Sequence, residues 1–354
     1  MPEPDLPTNE PVRRYYLVLF QSGDREDPFG SLHPFIVPVV QKKLDDKIVS
    51  SPDQTEIDVW IESPGGDAHA TYKLFLDLRS RCRKLRAVVP DCAKSAATLL
   101  VLGADEIYMA PAAELGPLDA QIEHPDRENV TVSALDVAKA LTFLADFGLD
   151  YVVKAGLPVL RSTELPRLDV LRELSRFAAS LLRPIIAKLD GHLIHRAVNQ
   201  LDIAHRYARI MLGKRNLSSE DRAVKLDAAG LASHLCEDYP AHEFVISREE
   251  ARKLPLPVRD AEQYLRWAEA KAYHSGFHDG LFATDDSASI IHVLDDSDIG
   301  KFFEENGTED ADDSSVKDVQ ARRGKNHETC SDDHQPEGFA TDRRASGPGT
   351  PGTT

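Results

Sequence analysis

The stretch Pro90–Pro111, PDCAKSAATLLVLGADEIYMAP, decides how the rest of the chain is read. A small-residue cluster, Ala93-Lys94-Ser95-Ala96-Ala97, opens an apolar helix over Thr98–Leu102. Gly103-Ala104-Asp105-Glu106 follows, and then a short strand at Ile107–Met109. A serine in the first turn of a buried helix sits where backbone amides point outward and the helix dipole favours an anion. That setting suits a nucleophilic hydroxyl. It also suits a plain N-cap, because serine is among the preferred capping residues. The residues that precede the stretch separate the two readings.

Working toward the N-terminus, Leu85–Val89 reads as the strand that feeds this helix. Before it, Thr55–Ile61 (TEIDVWI) reads as a strand and ends in Glu62-Ser63-Pro64-Gly65-Gly66-Asp67, which leads into a helix over Ala68–Arg83. Tyr15–Phe20 (YYLVLF) is a further strand, and His33–Ile48 has helical apolar spacing. Strand, helix, strand, repeated, implies a right-handed parallel α/β sheet. In such sheets, sites form outside the carboxyl ends of the strands. The loops Ser63–Asp67 and Asp91–Ser95 both leave carboxyl ends and are expected to share one pocket. Paired glycines allow positive φ and close backbone approach, so their amides can face an oxyanion. A Gly-Gly loop upstream of a serine at a helix start is more specific than either alone, since each supplies what the other lacks.

Downstream, Ala112–Gln121 reads as a turn-rich connection. Ser133–Phe147, Leu168–Leu189, Leu193–Leu212, Ser218–His234 and Ala261–Ala272 read as helices. His242–Leu254 reads as a short strand and a helix capped by Ser247. The expected organisation is a flexible arm over 1–12, one α/β domain over 13–275, and an acidic, then Gly/Pro-rich tail over 276–354 that is too poor in apolar residues to order itself.

The 354 residues carry a net charge of −17, which argues against a nucleic-acid surface or a polybasic membrane contact. The N-terminus does not read as a signal peptide. The chain has no apolar run of the roughly 18 residues that an integral membrane segment needs. Four scattered cysteines show neither zinc spacing nor a disulfide framework, so a reducing, cytoplasmic setting is expected, with no cofactor and no metal.

SPGGD, followed by AKSAATLLVLGADEIYMAPAAELGPLDAQ, resembles the Clp-fold serine peptidases, on the fold shared with crotonases. The resemblance is closest to the serine dehydrogenase proteinase (SDH-type) family, and it extends to Tyr239–Val258, YPAHEFVISREEARKLPLPV. It implies a ClpP/crotonase-like fold of repeated ββα units with a parallel sheet and a helical C-terminal part. It implies Ser95 as nucleophile, Gly65 and Gly66 as the oxyanion loop, and the Ala96 amide as a second donor. Relatives differ in the general base: some use a histidine soon after the serine, others a lysine further on. Here Leu115–Asp119 holds no histidine, and His124 would need an insertion. Lys139 falls in the range of the lysine relatives, and its neighbours Ala138 and Ala140 permit the burial that a lysine base needs.

Lesser candidates have plainer readings. Asp67 suits a helix cap, His69 a cleft lining and Asp119 a turn; His192, His195 and His205 lack a carboxylate partner for a metal. The expected function is a serine peptidase acting on peptide or protein substrates as a homo-oligomer. The alternatives are a catalytically inactive Clp-fold scaffold and a crotonase-type enzyme acting on an acyl thioester. No basic phosphate-binding cluster supports the last.

Overall fold

The computed structural model describes residues 11–124, 130–162, 166–216, 227–284 and 287–306. In chain order, the first half runs β1 (Arg13–Phe20), α1 (Ile36–Lys47), β2 (Thr55–Glu62), α2 (Ala68–Arg81), β3 (Lys84–Val89), β4 (Cys92–Ala93), α3 (Ala96–Leu102) and β5 (Glu106–Met109). Then come β6 (Glu114–Leu115), β7 (Gln121–Glu123), β8 (Thr131–Ser133), α4 (Ala134–Ser162), α5 (Arg167–Ile186), α6 (Gly191–Gly213) and α7 (Ala228–Glu237). The chain closes with β9 (Ile246–Ser247), α8 (Arg248–Ala251), β10 (Val258–Asp260), α9 (Trp267–His278), β11 (Ile290–Asp295) and α10 (Asp296–Asn306).

The main sheet has the order β10-β5-β3-β2-β1-β11. Its first five strands are parallel, and β11 closes the β1 edge antiparallel. β2 is buried along its whole length, as a central strand covered by helices on both faces must be. Period-2 alternation sorts its side chains. Ile57, Val59 and Ile61 pack into the large core with α1, α2 and α3. Trp60 points the other way, into an aromatic core with Tyr16, Phe20, Tyr264 and Tyr273. Asp58 lies on that second face, fully buried, between Arg86 Nη1 (2.9 Å) and the Tyr264 hydroxyl (2.6 Å). The parallel α/β sheet expected from the sequence is therefore present, with helices on both sides.

Three boundaries differ from the sequence reading. α4 continues to Ser162, past Phe147. Its face is not uniformly apolar-in: Leu144 is buried while Leu141, Phe143 and Phe147 are exposed. The segment read as a helix from Ala261 opens with a short 3-10 turn, and the helix proper runs Trp267–His278. The domain does not end at 275. Ile290–Asp295 pairs residue for residue with β1, and Ile299 is buried in the aromatic core. The acidic surroundings mask a short β-branched run, IIHVL, that binds an otherwise open sheet edge. The residues from 307 onward, and the expected helix before 227, lie outside the described residues.

Candidate active site

The two loops meet at the carboxyl edge of the sheet. The Ser63 amide donates to Cys92 O and the Lys94 amide to Ser63 O, both at 3.0 Å, so the β2 loop is stitched directly to the start of the serine turn. Ser63 Oγ donates to Gln21 Oε1 at 2.6 Å and accepts from the Gly65 amide at 3.1 Å. On its other side the loop pairs with Leu32, which donates to Gly65 O and accepts from the Asp67 amide, each at 2.7 Å.

Both glycines are required by the backbone. Gly65 has φ 107° and Gly66 has φ 141°. A β-carbon on Gly65 would lie 2.7 Å from Lys94 O, 2.9 Å from Ser95 Cβ and 3.2 Å from the Ala96 nitrogen. One on Gly66 would lie 2.4 Å from Leu32 O. The Gly65 backbone thus lies against Ser95. The Gly65 amide is taken by Ser63, whereas the amides of Gly66 and Ala96 have no acceptor among the described residues.

Ser95 occupies the N-cap position of α3, yet its hydroxyl makes no capping bond. Its backbone is at φ 47°, ψ −116°, and it is the one non-glycine residue with positive φ among those described. A cap would adopt the β region. Such a conformation costs roughly 1–3 kcal/mol and persists only where neighbours impose it. The neighbours are identifiable. Thr98 Oγ1 donates to Ala93 O at 2.6 Å and accepts from the Gly116 amide at 3.0 Å. Gly116 presses so close that a β-carbon there would lie 3.2 Å from the Ser95 nitrogen. The LGPLDAQ segment therefore contributes backbone that braces the serine turn. A half-buried hydroxyl in a turn packed against a loop with unbonded amides can, chemically, attack an acyl carbon, and such amides can hold the resulting oxyanion.

Around the loop, Asp67 caps α2 by accepting from the Ala70 amide at 2.6 Å, as expected. His69 Nδ1 and the Tyr207 hydroxyl of α6 are 2.8 Å apart, and Tyr207 stacks on Tyr72. Burial, with Tyr72 and Asp67 nearby, raises the Tyr207 pKa. Asp119 is buried and tied to α4: it accepts from Ser133 Oγ (2.6 Å) and the Leu135 amide (3.0 Å). Its carboxyl is pushed up by burial, against those two bonds.

The lysine expected as the base bonds to a backbone carbonyl. Lys139 is exposed, and its Nζ donates to Glu237 O at 2.7 Å at the end of α7. The expected burial is absent: α4 buries Ala134 and Leu135 in its first turn, and the next residue it buries is Leu144. The nearer lysine, Lys94, pairs with Glu114 at 2.5 Å. His124 lies at the end of the β7–β8 hairpin, its amide on Val130 O at 2.8 Å. His195 and His205 face Asn199 and Ser233. Cys82, Cys92 and Cys236 are buried thiols, and Cys330 lies outside the described residues.

The sequence reading passed over two groups of potential ligands that share Glu62, one with His274 and His278 and one with Asp91 and Cys92. The signal of the first was there: two histidines four apart on a helix share a face. The boundary error at α9 hid it.

A parallel sheet carrying a Gly-Gly loop against a strained serine at a helix start defines a ClpP-like α/β protein. Residues 35–139 match the family described as ClpP-like SDH-type serine proteinase, and this bears out the resemblance carried by SPGGD and AKSAATLL. The uncharacterized protein MJ1495 of Methanocaldococcus jannaschii is 39% identical over 72 residues, 20% of this chain and 25% of the relative. A second uncharacterized protein of that organism, MJ0137, is 37% identical over 75 residues, 21% of this chain and 26% of its own. The chain thus spans about a quarter of each curated relative. Among solved structures, a mutant of the 1510-N membrane-bound stomatin-specific protease aligns with 73% of this chain and 86% of its own, at a TM-score of 0.38 and 12% identity. No helix among the described residues is long and apolar enough to cross a membrane.

Proposed function

We propose that this protein is a serine peptidase working by acyl transfer. Ser95 Oγ attacks the scissile carbonyl carbon and loses its proton to a base. The amides of Gly66 and Ala96 hold the oxyanion, the amine leaves with a proton, and water releases the acyl group. The observation that carries this reading is the Ser95 turn, a strained serine at a helix start whose hydroxyl does not cap the helix and which lies against a Gly-Gly loop.

Lys139 is our candidate base. It fills that role when the first turns of α4 bring it from the Glu237 carbonyl toward Ser95 and a neighbouring surface shields it from water. The exposed apolar side chains of α4 and α5, among them Phe143, Phe147, Leu157, Phe177 and Leu181, offer a second copy a face to cover. A homo-oligomer with peptide or protein substrates is the assembly we infer.

The exposure of Lys139 favours a second reading, a ClpP-like scaffold without catalysis. Incubation of the full chain with an unfolded protein substrate separates the two. Peptide release by wild type and none by Ser95→Ala supports the peptidase. No release by either supports the scaffold.

A further inference from the structure

On the sheet face opposite α3, Glu62 ends β2 next to Ser63. Glu62 Oε2 lies 2.5 Å from His274 Nε2 and 3.1 Å from His278 Nε2, and the two imidazole nitrogens are themselves 3.1 Å apart. Glu62 is buried, His274 is partly buried and His278 is exposed at the end of α9.

While the carboxylate is ionised, protons satisfy this triangle poorly. If both Nε2 atoms carry hydrogen, the nitrogen–nitrogen contact sets donor against donor. If one is bare, its lone pair faces the carboxylate oxygen. A single cation accepts all three lone pairs at once. The dimensions fit. The three atoms lie about 1.7 Å from the centre of their triangle, so an ion about 1.2 Å off that plane sits at the 2.0–2.1 Å usual for zinc. Two imidazoles and one carboxylate are a zinc-type donor set, and histidines four apart on a helix present both nitrogens to one ion. Imidazole ligands select against magnesium and calcium.

We infer that Glu62, His274 and His278 form a binding site for a divalent transition-metal ion of the zinc class, with a fourth position open to solvent beside the exposed His278. The ion would tie α9 to the end of β2, one residue before the serine that holds the Gly65 amide.

The test is calorimetric titration of zinc chloride into the full chain after EDTA dialysis. One zinc per chain is expected, with magnesium and calcium giving no comparable binding. The double variant His274→Ala/His278→Ala and Glu62→Gln should each bind at least about 100-fold more weakly. His278→Ala alone keeps the fold intact, as circular dichroism will show, and must also weaken binding. Ser95→Ala must bind zinc as wild type does, so this site and the peptidase reading fail independently. Absence of stoichiometric binding by folded wild type, or wild-type affinity in the double variant, overturns the proposal.

Discussion

Replacing Gly65 with alanine is the sharpest perturbation of the loop. The new β-carbon meets backbone at 2.7 Å and 3.2 Å and the Ser95 β-carbon at 2.9 Å, all inside normal contact, at a φ of 107° that L residues rarely adopt. The conformational strain is about 1–3 kcal/mol. The clash cannot be relieved by a flexible side-chain end, so the loop and the serine turn must part. Separating the hydroxyl from its amides costs what loss of an oxyanion donor costs, roughly 10²–10³-fold in rate. The assay is the rate of labelling by a fluorophosphonate probe, with circular dichroism to confirm folding. Gly213→Ala, whose β-carbon meets nothing within 4 Å, is the control and labels at the wild-type rate. If folded Gly65→Ala labels within about twofold of wild type, the loop does not press on the serine as described.

Three further outcomes follow from other contacts. Thr98→Val removes the donor to Ala93 O and strands the Gly116 amide; a loss of about 1–3 kcal/mol is expected in urea unfolding, and an unchanged midpoint contradicts the bracing role. Glu56 is buried, which would raise its pKa, but Arg83, Arg86 and Arg14 outweigh that and hold it at about 2. A carboxylate depressed on folding adds stability above its unfolded value of about 4.3 and loses it as pH falls toward 2. Glu56→Gln should therefore flatten the acid limb of the stability curve, by on the order of 3 kcal/mol at most, and an unchanged limb refutes the pairing. Lys139→Ala should slow labelling by about 10²-fold or more if it is the base. An unchanged rate removes it from the mechanism and leaves the loop geometry standing.

The parts of this fold legible in the sequence were local. TEIDVWI and YYLVLF announce buried strands, and SPGGD with AKSAATLL announces the two turns at the carboxyl edge, because turn chemistry and periodicity are properties of neighbouring residues. Ser95 could not be told from a cap until its φ was known, since the same residue type serves both ends. The exposure of Lys139 was not legible because burial depends on what packs over each turn of a helix, and α4 buries no residue between Leu135 and Leu144. β11 and the Glu62–His274 pair, 212 positions apart, depend on long-range pairing that no local window contains.

The central proposal is that Ser95 is a nucleophile. Fluorophosphonate treatment of the full chain, followed by mass spectrometry of its peptides, tests it most directly. A single phosphonyl adduct on Ser95, absent after heat unfolding and absent in Ser95→Ala, is the result predicted. A folded wild-type protein that takes up no adduct, or carries it on another residue, contradicts it.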